Sequence, residues 1–321
     1  MTNQVFDTDI VANAVSTHYD IGNLTRCDLL RVGFNYNYLI ETSDQKYVLR
    51  IYLNGKYYIR DADDFRFELE LLNFLLAQGL PVVKPIGNRV GQQLTSHQFA
   101  NETRHMALFA FAPGVELDKA SADGHLTDDH VKQVGEIAAL IHQTTDPFQS
   151  RYHRYHLNTS TYLLDKSLQI FARYLAERNL GDLAFFTPFA NQIREHVEVL
   201  GQTAPVYGLI HADMHGNNIF LDPEAGMTIL DFDHCAYGWR AYEFAVWSGN
   251  AEVLATLLEG YESVRKLSDL ERQLIPTFAT LHSIWDMGDI LYYNPLWGET
   301  VSNESLERNL THLRNLVQSK L

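Results

Sequence analysis

The chain has 321 residues, 46% apolar and 20% charged, the balance of an ordinary globular protein with a substantial core. Its formal net charge of −15 argues against nonspecific nucleic-acid binding and against docking on an anionic membrane surface. No stretch approaches the ~18 uninterrupted apolar residues of a membrane span. The amino-terminal segment lacks a basic n-region and an apolar h-region. Cys27 and Cys235 are the only cysteines and lack metal-ligand spacing, so a reducing cytoplasm is the expected setting.

In chain order, residues 34–42 and 46–52 are β-rich runs separated by Ser43-Asp44-Gln45, which predicts a hairpin. Tyr47, Leu49 and Ile51 alternate with Val48, Arg50 and Tyr52, the period of a two-faced strand. An acidic cluster at residues 61–64 predicts a helix start, with Gln78 near its end, Gly79 as the stop and Pro81 beyond. Glu68, Leu72, Leu75 and Gly79 fall on one side of that helix, whereas Glu70 shares a more exposed face with Asn73 and Ala77. Residues 104–111 read as a further strand, ending at Pro113-Gly114.

The larger remainder reads as mainly helical. Thr127 is an N-cap before an acidic first turn, and Val131, Val134, Ala138 and Ile141 continue an apolar face. His142, next in line, reads as a core or helix-end imidazole. Residues 162–175 and 188–200 predict two more helices. Residues 281–293 combine Trp285 and two tyrosines with Asp286 and Asp289, a composition suited to an ammonium group through cation–π and charge contacts. No internal repeat, low-complexity tract or heptad pattern is present.

The most specific signal is the run His211-Ala-Asp213-Met-His-Gly-Asn-Asn218, followed by Ile-Leu-Asp231-Phe-Asp233. Residues 218–222 and 227–232 predict short strands joined by a turn at residues 223–226. A loop, a hairpin and a second loop would bring Asp213, Asn218 and Asp231 around one point. Phosphoryl transfer requires an acceptor for the hydroxyl proton and oxygen ligands for magnesium. This run offers both.

The pattern H-x-D-x-x-x-x-N with a hydrophobic-D-F-D strand end resembles the aminoglycoside phosphotransferase and choline kinase superfamily, which includes homoserine-kinase-like and stress-response kinases. The resemblance implies an α+β, bilobal protein-kinase-like fold. A β-rich amino-terminal lobe (residues 1–112) would bind ATP, and a mainly helical lobe (residues 113–321) would carry catalysis and the acceptor. It implies Asp213 as the catalytic base and His211 as a scaffold residue of the same loop. Asn218 and Asp231 would be magnesium ligands, with Asp233 as an additional metal or supporting residue. Arg50 matches the strand cation that contacts nucleotide phosphates, and Glu68 the helix acid that pairs with it. Arg at this position departs from the lysine of protein kinases and binds through a planar fork.

The turn at residues 33–37, which includes Asn35, occupies the place of the phosphate-covering loop but has a single glycine. The linker at residues 108–114, with Phe109 and Phe111, matches the adenine-binding hinge. Glu243, in the segment after Gly238, stands where relatives usually carry an Asp that braces the catalytic loop. Carboxy-terminal helices wall the acceptor pocket in relatives, which implicates Trp285, Asp286 and Asp289. The implied reaction is transfer of the γ-phosphate of ATP to the hydroxyl of a small molecule, with an amino-bearing alcohol favoured. A protein Ser/Thr kinase of the stress-response type is the alternative acceptor class, and a silent nucleotide-binding regulator a third reading. A metallohydrolase built on His211, Asp213, His215 and His234 is a rival from a different class.

Overall fold

The structure is a computed structural model that describes residues 5–100, 102–158 and 162–319. It opens with α1 (Thr8–His18), capped by the Asp7 side chain on the Asp9 amide at 2.9 Å. Then come β1 (Leu24–Val32), β2 (Asn35–Thr42), β3 (Lys46–Tyr52), α2 (Ala62–Ala77), β4 (Pro85–Ile86), β5 (Thr95–Phe99) and β6 (Glu102–Ala110). These strands form one six-stranded sheet in the order β1-β2-β3-β6-β4, with β5 pairing β6. The expected hairpin is the β2–β3 pair, in register from Asn35 opposite Tyr52 to Glu41 opposite Lys46. Both faces of β3 are covered, because α2 packs over the side that carries Arg50 and Tyr52.

α2 starts where the acidic cluster predicts. Asp61 is its N-cap and Asp64 closes a capping box, and Gly79 leaves the helix with φ of +80°. Glu68, Leu72 and Leu75 are buried, whereas Glu70 accepts the Ser150 hydroxyl at the edge of the packed face.

The second half begins with β7 (Val115–Glu116), α3 (Leu117–Ala122), α4 (Asp128–Thr144), α5 (Asp165–Arg178) and α6 (Thr187–Glu198). It continues with β8 (Tyr207–Ile210), β9 (Ile219–Asp222), β10 (Gly226–Ile229), β11 (Ala236–Trp239), α7 (Ala251–Val264), α8 (Asp269–Tyr293) and α9 (Asn303–Ser319). β9 lies between β10 and β7, and β11 pairs with β8, so two small sheets frame the loops before β9 and after β10. Among the described residues, no helix is long and apolar enough to cross a membrane.

Of the two strands predicted here, the first starts one residue late and the second ends early. Asn218 closes a short 3-10 turn before β9, and β10 stops at Ile229 because Asp231 adopts φ of 57° and residues 232–234 turn again. Helix α4 packs on α7 backbone to backbone. A Cβ on Gly135 would lie 2.0 Å from the Leu257 carbonyl oxygen, and one on Gly260 would lie 1.9 Å from that of Lys132. Neither helix can move without displacing His142 and Tyr261, which serve the catalytic loop described below. Gly260→Ala is therefore expected to destabilise the fold by about 1–3 kcal/mol through overpacking, read as a lower urea midpoint.

Candidate functional site

The site is built around one buried guanidinium. Arg50 on β3 donates through Nη1 to Glu68 of α2 at 2.7 Å, and its Nη2 lies 3.1 Å from Asp231 after β10. Its plane sits over Phe109 at 4.9 Å, and Glu68 also accepts the Tyr52 hydroxyl at 3.1 Å. The expected strand–helix pair is formed, and it extends to the residue read as a metal ligand.

The run from His211 is shaped mainly by its backbone partners. Glu243 accepts the amides of His211 at 2.8 Å and Ala212 at 3.1 Å, which supports Ala212 at φ of +69°. His211 uses both ring nitrogens. Nδ1 accepts the Asp213 amide at 3.2 Å and Nε2 donates to the Leu230 carbonyl at 2.7 Å. This fixes a neutral tautomer, and burial holds its pKa down to about 4. The imidazole thus joins the loop before β9 to the strand before Asp231. Glu243 in turn accepts from His142 Nε2 at 3.3 Å, and His142 Nδ1 accepts the Tyr261 hydroxyl at 2.9 Å. His142 is a core imidazole, as its position on α4 suggests, and Glu243 occupies the bracing position.

Asn218 donates its amide nitrogen to the Asp213 carbonyl at 2.9 Å and carboxylate at 3.0 Å. Its own carbonyl accepts the Leu230 amide at 2.8 Å, so Asp213, Asn218 and Asp231 are held together as the motif predicts. The Asn218 side-chain oxygen has no hydrogen-bond donor among the described residues, and Asp231 Oδ1 has none beyond its ion pair with Arg50. A carboxylate and an amide oxygen side by side are the donor types that suit a hard divalent cation. Burial and the Asp231 carboxylate together push the Asp213 carboxyl well above its usual range.

Asp233 and Asn35 line the same cleft and are tied there to a lysine. The Asp233 carboxylate is ion-paired with Lys56 and accepts the Asn35 amide at 2.9 Å, while Asn35 Oδ1 accepts Lys56 Nζ at 2.9 Å and the Leu53 amide at 3.3 Å. The Lys56 charge holds Asp233 ionised against the opposing effect of burial, which fits a supporting role for this carboxylate. The Asn35 side chain is spent on this cluster rather than turned to a phosphate. Arg154, buried below, donates to the carbonyls of Asp64 at 2.8 Å, Cys235 at 2.5 Å and Asp233, tying α2 to the same loop.

Sequence reading passed over Lys56, Arg154 and Tyr57. A lysine between Gly55 and two tyrosines is a weak cue for a buried cation, and nothing local marks Arg154. The metallohydrolase grouping does not form, because His211 has no free nitrogen. The metal-like trio among the described residues is Asp61, Asp64 and His153, whose two acids cap α2.

Two clefts meet at this centre. One, of about 410 Å³, has apolar walls from Leu30, Val48, Val83, Phe109, Phe111 and Leu230, with Arg50 and Asp231 at its inner end. Phe109 is buried beneath Arg50, and Phe111 is 39% exposed at the rim. The other, of about 330 Å³, runs from Asp213 to Trp285, Asp286 and Asp289 of α8. Asp289 is buried, accepts the Tyr57 hydroxyl at 2.5 Å, and its Oδ2 has no donor. Burial raises its pKa to about 8.

The chain matches the phosphotransferase enzyme family over residues 32–274 and belongs to it. It is a phosphotransferase that acts on hydroxyl groups, with a protein-kinase-like fold. A homoserine kinase of Xanthobacter autotrophicus is 29% identical over 275 residues, 81% of this chain and 78% of that protein. A microcompartment-associated aminopropanol kinase superposes with a TM-score of 0.74 at 24% identity, covering 95% of this chain and 94% of that one. An amicoumacin kinase in complex with AMP-PNP, Ca2+ and its antibiotic gives 0.75 at 20% identity, covering 97% and 92%.

Glu243 provides a pH-dependent test of the bracing network. Burial raises its carboxyl from 4.5 to about 7, so between those values the folded state binds more protons than the unfolded chain. Stability from this group therefore falls as pH rises from about 4.5 to 7, by on the order of 3 kcal/mol. Glu243→Gln should flatten that slope in urea denaturation at pH 5 and pH 8, and an unchanged slope would remove the assignment.

Proposed function

We propose that this chain transfers the γ-phosphoryl group of ATP, in the presence of magnesium, to the hydroxyl of a small acceptor that also carries an amine. The observation that carries the reading is the second cleft, where the donor-free oxygen of buried Asp289 shares a cavity with Asp213. An ammonium group would supply the missing donor, and Trp285 offers a ring face beside it. The acceptors of two similar kinases, homoserine and aminopropanol, combine an amine with a hydroxyl and support the same class.

In this reading, adenine enters the apolar cleft along the 108–112 segment, and the phosphates run inward toward Arg50 and Asp231. Asn218 and Asp231 would hold magnesium, which when bound neutralises charge on the phosphates. Arg50, oriented by Glu68, aligns the phosphate chain. Asp213 accepts and orients the acceptor hydroxyl proton, while His211 and Glu243 keep its loop in register. Rate enhancement then comes mostly from alignment and fixed charge. Asp233 and Asn35 position Lys56 and the strand end, and do not contact the nucleotide. The short path from Asp231 to β11 leaves no room for an activation loop, which favours a small acceptor over a protein one.

The roles separate in two substitutions. Asp231→Ala should weaken magnesium-dependent nucleotide binding, and chelation of the metal should do the same in the parent chain. Asp213→Asn should spare binding and lower turnover by about 10²–10⁴; full activity in that variant would remove the base. Acceptor class is tested with labelled ATP against amino alcohols, homoserine, choline, aminoglycosides, simple sugars and a generic protein. Transfer to an amine-bearing alcohol is expected. Asp289→Asn should raise its KM roughly tenfold, as loss of a charged hydrogen bond would. Labelling of protein alone would replace this reading with a protein kinase.

A further inference from the structure

Phosphoryl transfer needs positive charge over the group in flight, and the cations of the described site are mostly committed elsewhere. Arg50 is shared between Glu68 and Asp231, and Lys56 is buried against Asp233. Arg31, near the end of β1, differs. It is exposed, and among the described residues its guanidinium has no hydrogen-bond or ion-pair partner.

Its placement is specific. Four residues line both clefts: Arg31, Asn37, Asn218 and Asp231. The nucleotide and the acceptor occupy different clefts, so the transferred phosphorus must pass where the two join. A β-bulge between Leu29 and Arg31 adds one residue to β1 and puts Arg31, rather than Leu30, opposite Asn37. Asn37 in turn stands opposite Arg50. Directly paired residues of antiparallel strands share a face, so Arg31, Asn37 and Arg50 form a transverse row above the metal-loop carboxylates. Arg31 also lies close enough to Asp213 and His215 for its charge to lower the pKa of each.

We infer that Arg31 is a catalytic residue whose guanidinium holds non-bridging oxygens of the phosphoryl group as it crosses from nucleotide to acceptor, with the Asn37 amide beside it. The inference rests on the phosphotransfer reading above. In the step, a lone pair of the acceptor oxygen forms the new O–P bond. The bond between phosphorus and the β–γ bridging oxygen breaks, its electron pair leaves with ADP, and the hydroxyl proton passes to Asp213. Arg31 forms no covalent bond; its planar fork matches two equatorial phosphoryl oxygens.

The test needs no acceptor. Affinities for AMP-PNP and for ADP, each with magnesium, are measured by calorimetry in the parent chain, Arg31→Ala and Arg31→Lys, together with slow hydrolysis of ATP by water. Arg31→Ala should bind AMP-PNP about tenfold more weakly, keep ADP affinity within about twofold, and hydrolyse ATP about 10²-fold more slowly. Arg31→Lys should recover part of each loss, and melting temperatures should agree, because the side chain is exposed and unpartnered. Equal AMP-PNP affinity and hydrolysis in the parent chain and Arg31→Ala would overturn the assignment while leaving the kinase reading intact. A parent chain that binds neither nucleotide would overturn both.

Discussion

The arrangement depends on keeping one guanidinium charged inside the protein. Arg50 is buried between sheet and helix, and its Nη1 and Nη2 reach Glu68 and Asp231 at 2.7 and 3.1 Å. A buried ion pair gives little net stability, because desolvation offsets the attraction, but leaving one member unpaired is costly. The consequence is geometric. β3, α2 and the loop after β10 must stay where three charged ends can meet, so the position of α2 is set by the same contact that sets Asp231. Arg154 adds a second buried guanidinium, which donates to carbonyls of α2 and of the 233–235 segment and so ties the loop to the helix.

Local backbone strain is concentrated in the same region. Ala212 and Asp231 both lie at positive φ, costly for non-glycine residues, and each is held by its surroundings. Glu243 accepts the amides on either side of the bend at residues 211–212, and Arg50 meets the carboxylate of Asp231. The bend aims Asp213 toward Asn218, and the turn at Asp231 ends β10 before it can carry the carboxylate past the cleft. Glu243 satisfies both amides and also accepts from His142, whose ring is fixed by the Tyr261 hydroxyl.

What the sequence made legible were features with short-range grammar. The β2–β3 hairpin, the capped start of α2 and the spacing from His211 to Asp233 each fall within a few turns of chain, where periodicity and capping rules apply. β1 was not legible, since its mostly exposed face alternates poorly and carries a bulge. Lys56 was missed because its partner Asp233 is 177 residues away, and Arg154 because its partners are carbonyls that any residue could supply. The tie of Asn35 and Asp233 to Lys56 was not legible for the same reason. A buried lysine between them cannot be inferred from either local segment.

Closure of the second cleft follows from contacts that the small lobe makes with α8. Phe34, at the β1–β2 turn, packs edge-on against Tyr293 at 4.8 Å between ring centroids, and the Tyr292 hydroxyl donates to the Gly55 carbonyl at 2.8 Å. Tyr57 reaches Asp289 and accepts the Trp285 indole at 3.1 Å. The loop that delivers Lys56 to Asp233 thus also delivers Tyr57 to Asp289, one residue later. Separating the halves would loosen Asp289 and Asp233 together. The α8 wall of the second cleft and the carboxylates after β10 are therefore mechanically linked through residues 53–60, so any change that moves one would be felt at the other.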